Sequence, residues 1–266
     1  MVGHGKRGRG TIMGRLDSRV AIVTGGAVGI GRHYVRALAG EGARVMIADI
    51  VDGEAAANEI AASSGANSVA AMQADVSDEA AVQRLVAATL ERFGAIDILV
   101  NNAALYARLP PVKATEIDVA LWDRVMAVNV RGAFLMVKHV APLMQARRSG
   151  KIVNIASGTA YKGAVHMLHY VTSKGAIVSM TRALSRELGE YNICVNTLAP
   201  GLILSDTGVE NTAHHDEARV PVRNSRAFKR DAYPEDLLGT LVFLASSDSD
   251  FITGQTIAVD GGSINL

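Results

Sequence analysis

Tyr170 and Lys174 stand four residues apart, thirteen residues after Ser157. On a helix that spacing puts both side chains on one face. A phenol with an ordinary pKa of about 10 is a poor base at neutral pH. A neighbouring ammonium stabilises its phenolate and makes it a usable one. Ser157, at the end of an apolar run, adds a hydroxyl that can hold a substrate oxygen near the phenol. The chemistry is proton transfer at an alcohol or carbonyl oxygen, although a Tyr-x-x-x-Lys pair alone is equally an ordinary helix surface.

Far upstream lies Thr24-Gly25-Gly26-Ala27-Val28-Gly29-Ile30-Gly31. Glycines after a strand let the chain turn tightly and let backbone approach a pyrophosphate, and the following helix offers free N–H groups. A purely structural turn would use the same glycines. Asp49, eighteen residues past Gly31, ends the next apolar run. A carboxylate there accepts hydrogen bonds from ribose hydroxyls and repels a 2′-phosphate, and Val28 offers such a phosphate no positive charge. The ordinary alternative is a solvated strand-end aspartate. Read together, the two motifs predict hydride transfer with NAD rather than NADP, coupled to proton transfer through Tyr170.

Alternating strands and helices must carry these groups. Strands are expected at Val20 to Thr24, Arg44 to Asp49, Ser68 to Ala74, Ile96 to Asn101, Lys151 to Ala156, Ile193 to Ala199 and Thr256 to Val259. Helices are expected at Gly31 to Gly40, Gly53 to Ser63, Glu79 to Phe93, Leu121 to Arg147, His169 to Glu187 and Pro234 to Ala245. Strands apolar on both faces and separated by helices imply an α/β fold, with a parallel sheet covered on both sides. No repeat or linker divides the pattern, so residues 16–266 are expected to form one dinucleotide-binding catalytic domain.

Composition narrows the field. A chain of 266 residues with 49% apolar and 20% charged residues can build a sizeable core. The net charge of +1 gives no basic field for nucleic acid or an anionic membrane. Residues 1–15 carry Lys6, Arg7, Arg9 and Arg15 among five glycines and read as a flexible basic leader. They lack the apolar stretch of a secretory signal and the aromatic residues of a stacking nucleic-acid arm. The lone Cys194, within Ile193-Cys194-Val195, reads as a core residue in a reducing, cytoplasmic setting.

The chain resembles the classical short-chain dehydrogenases/reductases from about Leu16 to Leu266. The likeness rests on the glycine turn, Asp75-Val76, Asn101-Asn102-Ala103-Ala104, Asn129, Ser157, Tyr170-Val171-Thr172-Ser173-Lys174 and Pro200-Gly201. It implies a Rossmann-like, doubly wound, seven-stranded parallel sheet, a bound nicotinamide cofactor and a homotetramer. It makes Tyr170 the acid/base, Lys174 a ribose ligand that lowers the tyrosine pKa, and Ser157 the residue that orients substrate. Asn129 would hold a water linking Lys174 to solvent. The cofactor set implied is Gly25, Val28, Gly29, Ile30, Gly31, Asp49, Ile50, Asp75, Val76, Asn102, Ala103, Ala104, Pro200, Gly201, Ile203 and Ser205, with Tyr170 and Lys174. Ala104 stands where the family usually has glycine, and Ser205 where it usually has threonine.

Substrate walls are expected from Leu105, Tyr106, Tyr161, His166 and Leu202, with Ser157 and Tyr170, under a polar lid from Asp206 to Phe228. The near side is apolar and aromatic, which suits a cyclic or aryl secondary alcohol; a polyol stays open. His214 and His215 have no further ligand at metal spacing, so no metal is assigned. Three other readings compete: a 3-oxoacyl-carrier-type reductase using NADPH, a non-catalytic nucleotide sensor, and an extended nucleotide-sugar epimerase. Val28 and Asp49 oppose the first, the intact Ser157, Tyr170, Lys174 and Asn129 the second, and glycine spacing and length the third. Apolar Met126, Phe134, Met136, Val178 and Met180 are expected to pair helices between subunits.

Overall fold

Unbroken burial along the strands builds the centre of the protein. In the computed structural model, which describes residues 14–65, 68–107, 109–205 and 212–265, β1 (Val20–Thr24) is buried throughout. Ala21 and Val23 face one apolar cluster, while Val20 and Ile22 face another. A strand buried on both faces must sit inside a sheet covered by helices on both sides. β2 (Arg44–Asp49), β3 (Val69–Gln73), β4 (Ile98–Asn101), β5 (Gly150–Ile155), β6 (Ile193–Pro200) and β7 (Thr256–Val259) join β1 in the order β3-β2-β1-β4-β5-β6-β7. Every pairing is parallel. This is the seven-stranded doubly wound sheet expected.

One face is covered by α1 (Gly29–Gly40), α2 (Glu54–Ser64) and α9 (Glu235–Ala245), through Tyr34, Leu38, Ile60 and Leu241. The other carries α3 (Glu79–Phe93) and α5 (Gly132–Arg147), through Leu85, Met136, Val140 and Met144. α7 (Leu168–Leu188) lies against β6, with Ile177 and Val178 meeting Ala199 in a smaller cluster. The strand order reverses between β1 and β4, and loops leaving their carboxyl ends open a crevice there.

Three features differ from the sequence expectation. The helix expected from Leu121 to Arg147 runs as α4 (Val119–Met126), a wide π turn (Ala127–Arg131) and α5. Such turns displace side chains that a regular helix would aim elsewhere, and this one carries Asn129. A short α6 (Thr159–Lys162) follows Ser157, and the expected lid contains α8 (Thr212–Ser225) with Pro221 inside it. The lid residues 206–211 and the leader residues 1–13 lie outside the described residues, as do the side chains of His214, His215, Asp216 and Glu217. Met136 and Val178, expected at a subunit interface, are 0% and 6% exposed and belong to the sheet core, whereas Phe134 is 49% exposed. Among the described residues no helix is long and apolar enough to cross a membrane.

Candidate active site

The glycine turn is shaped by close approach. Gly25 has φ +63°, and a Cβ there would stand 3.0 Å from the Cα of Ala103. A Cβ on Gly31 would collide with the carbonyl oxygen of Gly25. The two glycines therefore let β1, α1 and the loop after β4 meet without side chains between them. Thr24 and Asn102 fasten this meeting. Thr24 Oγ1 accepts from the amides of Asn102 and Ala103, each at 3.0 Å, and Asn102 Nδ2 donates to the carbonyls of Thr24 (2.9 Å) and Gly25 (3.0 Å). Asn102, expected to line the cleft, thus spends its side chain on bracing the turn. The bracing role of Thr24 was missed, although a hydroxyl ending a wholly apolar strand is a signal for it.

Asp49 is 7% exposed. Its Oδ2 accepts from the amide of Ala27 at 3.0 Å and its Oδ1 from that of Val51 at 3.3 Å. A carboxylate has about four lone-pair directions, so acceptor capacity remains beside the turn. Val28 and Ile50 are 53% and 63% exposed and form an apolar rim there. Arg32 and Arg36 of α1 are both committed to Glu59 of α2. Further along, Asp75 is exposed and closes a turn on Ser77, its Oδ1 accepting from the Ser77 amide at 2.8 Å. Val76 is turned inward, so that a Cβ on Gly132 would stand 2.6 Å from it; its side chain packs against the start of α5.

Ser157 follows β5 and faces the start of α7. The Ser157 hydroxyl is close enough to Tyr170 to favour its phenolate, and its Oγ accepts from Thr159 Oγ1 at 3.0 Å. Lys174, one turn on, is 3% exposed and donates from Nζ to the carbonyl of Ile155 at 2.7 Å. Its Nζ lies 5.7 Å from the centroid of the Tyr170 ring. Serine, phenol and ammonium are therefore gathered at the carboxyl end of β5, as the spacing implies. An ammonium has three donors, and the bond to Ile155 uses one.

The acidities differ from the expected pattern. Burial raises the Tyr170 hydroxyl well above the ordinary phenol value, Tyr106 adds to the rise, and the Ser157 hydroxyl opposes it. Burial also pushes Lys174 down from 10.5 to about 8. In the protein alone the desolvation of both groups outweighs their mutual attraction.

Asn129 is 2% exposed and wholly engaged with protein groups. Its Oδ1 accepts from the amide of Leu105 at 2.7 Å, and its Nδ2 donates to Ser173 Oγ at 3.0 Å. It ties the loop after β4 to α7. That loop carries Tyr106, whose ring packs on Tyr170 with centroids 4.7 Å apart. Leu105, Leu109, Val125 and Met167 extend this wall; Leu109, Val125 and Met167 were missed because nothing local marks them. Tyr161 and His166 are exposed, and His166 has φ +64°. His169, also missed, is fully buried and accepts the Tyr170 amide on Nδ1 at 2.9 Å, a bond that steadies the first turn of α7.

Beyond β6, Gly201 N donates to the carbonyl of Val259 at 3.1 Å and Leu204 N to that of Ala232 at 2.8 Å. The Pro200–Ser205 loop is thereby held beside Ser157 at the same end of the sheet. The cradle fits a dinucleotide: its two glycines keep side chains off the tight turn, and a carboxylate with spare acceptor capacity stands beside it.

A family model described as enoyl-(acyl carrier protein) reductase matches residues 25–263. Galactitol 2-dehydrogenase of Agrobacterium fabrum is 40% identical over 258 residues, covering 94% of this chain and 98% of its own. Sorbitol dehydrogenase of Cereibacter sphaeroides is 40% identical over 259 residues, with the same coverages. The crystal structure of levodione reductase superposes with a TM-score of 0.82 at 32% identity, over 92% of this chain and 97% of that one.

Proposed function

The chain belongs to the short-chain dehydrogenase/reductase family, and from that premise we propose that residues 16–266 form an NAD-dependent dehydrogenase of secondary alcohols. The observation that carries this reading is the gathering of Ser157, Tyr170 and Lys174 after β5, with Lys174 Nζ 5.7 Å from the Tyr170 ring centre, at the same end of the sheet as the glycine cradle. When bound, the nicotinamide supplies the hydride acceptor. Ser157 holds the substrate oxygen against Tyr170, and Tyr170 takes its proton as the carbon–hydrogen bond is broken. Lys174, with two ammonium protons left over, binds ribose hydroxyls and offsets the phenolate charge. Run in reverse, the strongly held proton of Tyr170 is the acid for carbonyl reduction.

Asp49 supports NAD. Its spare acceptors suit the 2′- and 3′-hydroxyls of the adenosine ribose, while its charge and the apolar Val28 and Ile50 disfavour a 2′-phosphate. Arg32 and Arg36 of α1 are both paired with Glu59. On the substrate side, the Leu105–Tyr106–Leu109–Met167 wall favours a cyclic or aryl alcohol, as does the likeness to a levodione reductase. The galactitol and sorbitol dehydrogenases keep polyols in view. The family model's acyl-carrier description supports the competing NADPH-dependent reductase, and Asp49 weighs against it. A homotetramer is part of the same proposal, supported by exposed Phe134 beside Met126 and Val130 on the outer face of α4 and α5.

The test is calorimetric titration of NAD⁺ and NADP⁺ into the wild type, Asp49→Asn and Asp49→Ala. Asparagine keeps an acceptor for the Ala27 amide and removes the charge, so selectivity should fall while NAD⁺ still binds. Alanine removes the brace as well and should weaken both cofactors. Tighter binding of NADP⁺ by the wild type would overturn the assignment.

A further inference from the structure

Arg226 follows α8, in a stretch whose sequence reads as solvated lid, yet it is 2% exposed. Its Nη2 donates to the carbonyl of Leu202 at 2.6 Å and its Nη1 to that of Arg230 at 2.8 Å, while Nε is buried without a partner. Two glycines make room for it. A Cβ on Gly201 would stand 3.4 Å from Nη2, and one on Gly261 would stand 3.3 Å from Cδ. A guanidinium buried against two carbonyls, with Asp231 and Asp236 close enough to feel its charge, is held in a fixed geometry. Arg226 and Asp260 also line an open cavity of about 350 Å³ between the 226–232 segment, α9 and the end of β7.

That segment is a strap behind the Pro200–Ser205 loop. Ile203 pairs with Ala232, Leu204 N donates to the Ala232 carbonyl, and Phe228 N donates to the carbonyl of Gly261 at 3.0 Å. Arg226 is the side chain that binds the strap to the loop at Leu202. The glycine turn and Asp49 are fastened separately, by Thr24, Asn102 and the Ala27 amide.

We propose that Arg226 is a positioning residue for the nicotinamide end of the site. It acts through the Leu202 carbonyl on the backbone of Leu202–Ser205 and joins the lid helix to that loop. The proposal rests on the NAD reading, and on the family resemblance by which the backbone of Ile203 and the hydroxyl of Ser205 would hold the nicotinamide carboxamide. It makes the nicotinamide half of the site depend on Arg226 and leaves the adenosine half independent of it.

The experiment is calorimetric binding of NAD⁺ and of ADP-ribose, which lacks the nicotinamide, to the wild type, R226Q and R226K, with thermal melts as the check on folding. R226Q should weaken NAD⁺ on the order of tenfold, the worth of one charge-assisted hydrogen bond. ADP-ribose should stay within about twofold of the wild type. R226K, which keeps a cation for one carbonyl, should fall between wild type and R226Q. If R226Q does not fold, R226K carries the same comparison. Equal weakening of both ligands, or of neither, would overturn the proposal. Failure of the wild type to bind either ligand would instead sink the cofactor reading, and this inference with it.

Discussion

Replacing Lys174 by methionine removes the ammonium and keeps an unbranched apolar stem in a site that is 3% exposed. Unit charges separated by the 5.7 Å between Nζ and the Tyr170 ring centre interact by ~3 kcal/mol at an effective dielectric of about 20, or ~2 pKa units. Burial holds Lys174 at about 8 in the protein alone, so near that pH about half the lysines carry the charge and the effect shrinks towards ~1 unit. Formation of the phenolate pulls the lysine pKa back up and restores part of it. Alcohol oxidation by Lys174→Met should therefore show its alkaline rise displaced upward by ~1–2 pH units. At pH 8 kcat should be ~10–100-fold lower, with the deficit narrowing as pH rises. The assay is kcat at saturating alcohol and cofactor from about pH 6.5 to 10.5, with saturation checked separately for the variant. Saturation matters because lost ribose contacts raise KM without touching the proton step. A uniform loss of rate with the pH profile unmoved would refute the argument and leave Lys174 as a cofactor ligand only.

Gly31→Ala places a methyl group against the Gly25 carbonyl, so the turn must open. NAD⁺ affinity measured by calorimetry should fall by two orders of magnitude or about 3 kcal/mol, and unchanged affinity would show that the cradle lies elsewhere. Ser157→Ala should lower kcat on the order of 10²-fold with cofactor binding intact; parallel losses in both would make Ser157 a structural residue. Lys174 also links stability to pH. Its folded pKa is about 8, against 10.5 ordinarily, so between those values the unfolded chain binds more protons and stability rises with pH. Below pH 8 the full burial penalty stands. Relative to Lys174→Met, the wild type should gain ~3 kcal/mol across this window in urea unfolding; a flat difference would mean that Lys174 is not desolvated.

What the sequence made legible was whatever depends on local spacing. The apolar strands, the glycine turn, Asp49 at a strand end and the one-turn separation of Tyr170 and Lys174 all follow from short-range rules, and the sheet places them together. What it hid depends on partners far along the chain. Asp49 looks like a free strand-end carboxylate until the Ala27 amide, twenty-two residues away, is seen to claim one oxygen. Asn102 looks like a cleft residue until Thr24 and Gly25 claim its amide. Arg226 sits in a run of charged residues whose composition predicts solvent exposure, but Gly201 and Gly261, from two other segments, build a slot for it. The π turn is not marked by any local motif, and only the packing of Asn129 against Leu105 and Ser173 reveals its use. The pairing of Tyr170 with Lys174 is visible in spacing, whereas the burial that opposes it is a property of the whole fold.

The most direct measurement is NADH formation from NAD⁺ with a panel of cyclic and aryl secondary alcohols and polyols, comparing the wild type with Tyr170→Phe. The account predicts turnover of at least one secondary alcohol by the wild type, slower reduction of NADP⁺, and a fall in kcat on the order of 10³-fold in the phenylalanine variant with NAD⁺ binding unchanged. Turnover by Tyr170→Phe at the wild-type rate would contradict it, because the proton would then be leaving the alcohol by another route.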